Sequence, residues 1–171
     1  MLPALAASLN DCPMAVLLAP PGAGKTTLVA PFLLGQPWLS GQKILLMLPR
    51  RLAARAAAER IAALLGEEPG GQVGYRTRLE SVPGSRIECL TEGLFVNRLL
   101  ADPALEGVGA LLFDEVHERN LEGDLGLALA LDAAQLRPEL RLVAMSATLD
   151  GARFQQLMDE APLFESTGRA F

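Results

Sequence analysis

Short runs of unbroken hydrophobicity alternate along this chain with longer stretches whose apolar residues recur every three or four positions. The unbroken runs are Ala15–Ala19, Lys43–Leu48, Arg86–Leu90, Gly109–Phe113 and Arg141–Met145. Continuous hydrophobicity predicts strands covered on both faces, as in a parallel sheet. The periodic stretches, Lys25–Leu34, Arg51–Leu65, Glu92–Leu100 and Leu121–Leu136, predict helices. Glycine and proline gather at Pro20–Gly24, Pro69–Gly74 and Pro83–Gly84, which read as loops. No repeat, low-complexity tract or internal linker interrupts the order. Strand–helix alternation predicts an α/β fold, a parallel β-sheet with helices on both faces. In such sheets ligands bind beyond the carboxyl ends of the strands, and the polar motifs fall there.

Composition narrows the classes. At 171 residues the chain fits one domain of ~100–200 residues, and half its residues are hydrophobic, enough for a real core. No apolar run approaches the ~18 residues of a membrane span, and Met1–Asp11 lacks the basic flank of a signal peptide. The expectation is a protein without a membrane partner in a reducing compartment, the cytoplasm. Cys12 and Cys89 are too few for a disulfide scaffold, and a single histidine, His117, excludes a multi-histidine metal centre. The net charge of -5 argues against a simple basic nucleic-acid binder, yet it is unevenly spread. Residues 1–98 carry ten Lys/Arg against seven Asp/Glu; residues 99–171 carry five against thirteen.

The first strand runs into Pro20-Pro21-Gly22-Ala23-Gly24-Lys25-Thr26-Thr27 and then a helix. This is the layout of a phosphate-binding P-loop, except that Ala19 stands where the pattern has its first glycine. Gly22 and Gly24 let backbone N–H groups curl around phosphate oxygens, and the helix directs its positive end at the same anion. Lys25 can reach the β and γ phosphates, and the Thr26 hydroxyl is placed to ligate Mg²⁺. The plain alternative is an ordinary Gly-rich strand-to-helix turn.

A second motif argues against that alternative. The run Gly109–Phe113 delivers Asp114-Glu115 to a strand tip, followed by Val116-His117. Adjacent carboxylates there are costly without a cation, which Mg²⁺ with nucleotide phosphates supplies. Asp114 is expected to hold the metal through water, and Glu115 to orient and deprotonate the attacking water. His117 reads as a hydrogen-bonding relay at the edge of this site, with proton transfer as the weaker option. Ser146-Ala147-Thr148 closes another strand. Its hydroxyls either bond the Asp114–His117 loop or cap a helix over Asp150–Met158.

Together these three motifs resemble superfamily 2 helicases of the DEAH/DExH class, most closely the bacterial HrpB-type ATP-dependent helicases. The resemblance covers nearly the whole chain. Leu48-Pro49-Arg50-Arg51-Leu52-Ala53-Ala54 is similar to motif Ia, and Thr91-Glu92-Gly93 to motif Ib. Val73-Gly74-Tyr75 with Arg78 and Glu80 is similar to the family's V-G-Y-x-x-R-x-E segment. DEVHER is similar to motif II, MSATLD to motif III, and Gly168-Arg169-Ala170-Phe171 to the stretch leading into a second domain. The resemblance implies a RecA-like P-loop domain that binds Mg²⁺ with ATP or another NTP. It implies that Pro21, Gly22, Ala23, Gly24, Lys25, Thr26 and Thr27 hold the nucleotide, and that His117, Ser146 and Thr148 couple the motifs. Arg60 matches an arginine that stacks on the nucleobase, with a solvated helix arginine as the alternative. No glutamine precedes Gln36, so weak discrimination among bases is expected. Arg50, Arg78 and Thr91 match positions that contact the backbone of single-stranded RNA, with DNA possible.

The resemblance also implies that residues 1–171 form only the first RecA-like domain, with a second domain as partner. That domain would supply an arginine finger worth ~10³–10⁵ in turnover. The isolated domain is therefore expected to bind nucleotide weakly, to hydrolyse it very slowly and not to unwind. Two other readings stay open: a DNA-directed superfamily 2 translocase, and a non-catalytic nucleotide-gated interaction module. Retention of Lys25, Asp114 and Glu115 weighs against the latter.

Overall fold

A computed structural model describes residues 1–147 and 151–166. Eight strands form one sheet in the order β4-β3-β5-β2-β6-β7-β1-β8. They are β1 (Met14–Leu18), β2 (Lys43–Leu48), β3 (Val73–Arg76), β4 (Ser81–Val82), β5 (Ile87–Thr91), β6 (Val108–Phe113), β7 (Arg141–Ser146) and β8 (Leu163–Glu165). All pairings are parallel except the short β3–β4 ribbon at one edge, so the expected parallel sheet is mixed. The helices are α1 (Leu2–Asp11), α2 (Lys25–Leu33), α3 (Arg51–Leu64), α4 (Glu92–Ala101), α5 (Leu121–Leu136) and α6 (Gly151–Leu157).

The unbroken apolar runs are explained by two cores. Along β2, Ile44, Leu46 and Leu48 face one core with α1, α2 and α3. Leu45 and Met47 face the other, built from α4, α5 and Phe154 of α6. The same alternation holds in β1, β6 and β7. Each strand therefore needs apolar residues at every position, since both its faces are covered.

The sequence pattern places five strands and four helices to within a residue or so of their ends. It assigns no element to α1, β3, β4 or β8. The predicted Pro69–Gly74 loop is correct only to residue 72, because Val73 and Gly74 open β3. Gly74 belongs there for a steric reason: a Cβ on it would fall inside the backbone of Pro83 and Gly84, and a Cβ on Gly84 inside that of Val73 and Gly74. The close approach folds β4 back against β3.

Cys89 on β5 is fully buried, and burial pushes its thiol up to about 12, with the Glu88 carboxylate adding to the shift. Cys12 is half-buried. Thiolate is the reactive form. A thiol reagent at neutral pH is expected to modify Cys12 in the native protein and to reach Cys89 only after denaturation. Two thiols titrating at the same rate without denaturant would contradict this core placement.

Candidate active site

The strand order brings the motifs together. In the sheet, β7 lies between β1 and β6, with Leu18 opposite Ser146 and Phe113 opposite Ala144. The loops leaving these three strands therefore share one rim.

After β1 the chain turns with Gly22 at φ 79° and Gly24 at φ 78°, the left-handed region that glycine adopts without strain. Gly24 is also the N-cap of α2, and a Cβ on it would approach Leu28 Cδ1 to 2.8 Å. Ala19 has no positive φ, so glycine is not required at the position where the sequence departs from the P-loop pattern. Its N–H donates to the Ser146 carbonyl at 3.0 Å, tying the loop's start to the end of β7. The turn is closed by the Ala23 N–H donating to the Pro20 carbonyl at 3.2 Å. Thr27 donates its hydroxyl to the Gly24 carbonyl at 3.4 Å.

Lys25 and Thr26, the first residues of α2, face the acidic turn after β6. Lys25 is 4% exposed at its side chain, and its Nζ lies 2.8 Å from Glu115 Oε1. The Thr26 hydroxyl donates to Asp114 Oδ2. Lys25 thus places a cation beside Glu115. Burial holds the Asp114 carboxyl above the usual aspartate range, against the opposing pull of the Thr26 hydroxyl and Lys25.

The acidic turn is unusual in its backbone. Glu115 (φ 53°) and Arg119 (φ 42°) are both left-handed, a conformation that costs ~1–3 kcal/mol in a non-glycine residue and persists only where neighbours over-determine it. The neighbours are identifiable. The Asp114 N–H donates to the Met47 carbonyl of β2 at 3.0 Å, and the Glu115 N–H to Asp114 Oδ1 at 2.9 Å. Arg119 grips Asp124 with two nitrogens, at 3.0 and 2.7 Å.

His117 accepts a hydrogen bond at Nδ1 from the Ala147 N–H at 3.2 Å, and the same nitrogen lies 3.4 Å from Glu115 Oε2. The Ala147 amide at the end of β7 thus meets the His117 imidazole of the acidic turn. That amide is a group not singled out in the sequence. Ser146 is buried beside it. Thr148, Arg169 and the closing Gly168–Phe171 segment lie outside the described residues.

Leu48, Pro49, Arg50, Arg60 and Thr27 line an open cleft of about 390 Å³ together with Thr26, Asp114 and Glu115. Arg60 is thereby placed on the side of α3 that faces the P-loop. Pro21 is exposed at the loop's tip. Arg50 is largely exposed and pairs with Glu118 at 3.4 Å. Arg78 is also exposed, 3.9 Å from Glu122, and Thr91 is the N-cap of α4. Two residues that the sequence reading did not single out adjoin that corner. Glu92, buried at the start of α4, accepts from Asn120 Nδ2 at 2.7 Å. Asn120 caps α5 by accepting from the Gly123 N–H at 2.9 Å.

A Gly-rich strand-to-helix loop at the end of one strand, an Asp–Glu pair at the end of another and a third strand between them define a RecA-like domain of the P-loop class. The DEAD/DEAH box helicase profile matches residues 4–157, and the chain belongs to that family. It is 49% identical over its full length to the ATP-dependent RNA helicase HrpB of Escherichia coli, of which it spans 21%. It is 37% identical, over 94% of its length, to the ATP-dependent RNA helicase DHX30 of Gallus gallus, of which it spans 14%. A crystal structure of the E. coli DEAH/RHA helicase HrpB superposes with a TM-score of 0.92 at 49% identity, covering 99% of this chain and 22% of that one. Among the described residues no helix is long and apolar enough to cross a membrane.

Proposed function

We propose that this domain binds a nucleoside triphosphate with Mg²⁺ and grips the backbone of single-stranded RNA. In this reading it hydrolyses the nucleotide when a second RecA-like domain closes on it. One observation carries the reading: Lys25 and Thr26 of the P-loop helix meet Glu115 and Asp114 of the acidic turn, so phosphate, metal and water chemistry can share one point.

The donor set suits Mg²⁺. No group of three or more His, Cys, Asp or Glu side chains converges among the described residues, so a dedicated protein cage is not offered. Mg²⁺ is commonly held by one or two carboxylates, waters and substrate phosphates. Thr26 and Asp114 would hold it, and the ion would neutralise charge on the phosphates. The remaining roles belong to the chain. Backbone N–H groups of residues 22 and 24–26 cradle phosphate oxygens. Lys25 exchanges Glu115 for the β and γ phosphates. Glu115, released, accepts the proton of the attacking water. Arg60, across the cleft, stacks on the base without reading its edge, because every base has a π face. RNA as the partner rests on the relatives named RNA helicases.

Calorimetric titration with ATP and GTP tests the reading. Both are expected to bind, and chelation of Mg²⁺ is expected to weaken both. Affinity indifferent to Mg²⁺, or no nucleotide binding at all, would overturn it. Arg78→Ala is expected to weaken oligonucleotides of every sequence about equally and to lower the salt slope by ~1, as loss of a phosphate contact does. A loss confined to one sequence would assign Arg78 to base reading instead.

A further inference from the structure

The left-handed turn from Asp114 to Asn120 is held at its near end by Lys25, Thr26 and β2. Its far end is held by Asn120, and Asn120 is held by Glu92. That carboxylate is one residue from Thr91, in the segment assigned above to RNA. The contact is built into the fold. A Cβ on Gly123 would lie 2.6 Å from Glu92 Oε1, so a side chain there would displace the carboxylate from its present place. Phe95 packs edge-on to Phe113, the residue before Asp114, with centroids 5.5 Å apart, so α4 braces β6 as well.

Among the described residues no ion pair is formed by Glu92. Glu122, Glu118 and Asp124 surround it and, after burial itself, raise its carboxyl above the usual range; only the Asn120 bond opposes them. Arg119, the nearby cation, is engaged with Asp124. A buried carboxylate in an acidic neighbourhood is poor stabilising material, since burial and like charges both disfavour its ionised form. Its geometry points to another use.

We infer that Glu92 is a positioning residue. Through Asn120 it fixes the far end of the turn that presents Glu115, and so transmits occupation of the Thr91 corner by RNA to the hydrolytic carboxylate. The inference rests on the nucleotide and RNA roles proposed above. The element with two arrangements is the turn itself: Glu115 and Arg119 are left-handed while both ends are held, and relax when one end is released.

The test uses substitutions that separate this link from simple helix capping, made in the protein comprising both RecA-like domains. Asn120→Asp keeps an oxygen for the Gly123 N–H, so the cap survives, but it sets carboxylate against carboxylate at Glu92. Glu92→Gln keeps an acceptor for Asn120. Combined, the two changes rebuild the bond with reversed polarity, the new amide at position 92 donating to the new carboxylate at position 120. N120D is expected to lower oligouridine-stimulated turnover by ~10-fold, and RNA-independent turnover by less, with MgATP affinity retained. E92Q alone is expected to stay close to wild type, and the double variant to recover most of the stimulation. Amide hydrogen exchange at residues 115–120, without nucleotide or RNA, should quicken in N120D and slow again in the double variant. Should N120D fail to fold, Asn120→Ser, which retains a capping oxygen too short to reach Glu92, is read the same way. N120D without effect, equal loss of stimulated and unstimulated turnover, or a double variant no better than N120D would each overturn the inference. A wild-type protein that oligouridine does not stimulate would refute the helicase reading, and exchange at residues 115–120 would then decide the positioning role by itself.

Discussion

Replacing Lys25 with alanine is expected to lower MgATP affinity by ~10–100-fold, the scale of a hydrogen bond to a charged group. The lysine is buried, and its ammonium stands 2.8 Å from Glu115, so it is already oriented toward the acidic turn. The substitution also leaves Glu115 without its cation. Because Glu115 keeps 28% of its side chain exposed, solvent softens that loss, and the melting temperature should fall only slightly. Calorimetry separates the two effects. Unchanged affinity would remove Lys25 from the nucleotide site. A large drop in melting temperature with intact binding would make it a structural lysine.

Glu115→Gln is expected to preserve MgATP binding and to cut hydrolysis in the two-domain protein by ~10²–10⁴-fold, the usual contribution of a general base. Glutamine keeps the length and an oxygen for Lys25, and it suits the left-handed backbone about as well as glutamate. What it loses is basicity. Steady-state turnover beside a binding isotherm reads the split: turnover equal to wild type would move the base elsewhere, and a parallel loss of binding would make Glu115 a ligand holder.

Much of this site was legible in the sequence because its signals are local. Gly22 and Gly24 mark positive φ, and an Asp–Glu pair after five apolar residues marks a strand tip. The strands β1, β2, β6 and β7 declared themselves because burial on both faces favours continuous apolar runs, whereas β5 carries the buried, ion-paired Glu88 within its run. The rest depends on partners distant in the chain. β4 has two residues and β8 three, and their stability comes from the ladders they join. The ten residues of α1 do carry helical spacing in Leu2, Leu5 and Leu9, but so short a helix forms only by packing on the sheet. The partners of Arg50 and Arg78, Glu118 and Glu122, follow from the approach of the start of α3 to the acidic turn and of the β3–β4 loop to α5, which no local pattern encodes. The same holds for Glu92, which in sequence is one charged residue in a short motif and in space is the neighbour of Asn120.

Gly74 and Gly84 press backbone to backbone, with no room for even one methyl group on either. Natural variation at these two sites should be as restricted as at Lys25, for reasons that have nothing to do with chemistry on phosphate. A survey that ranks positions by how seldom they change would place this hairpin alongside the reactive centre. Only a steric reading separates a residue retained for what it does from one retained because nothing else fits.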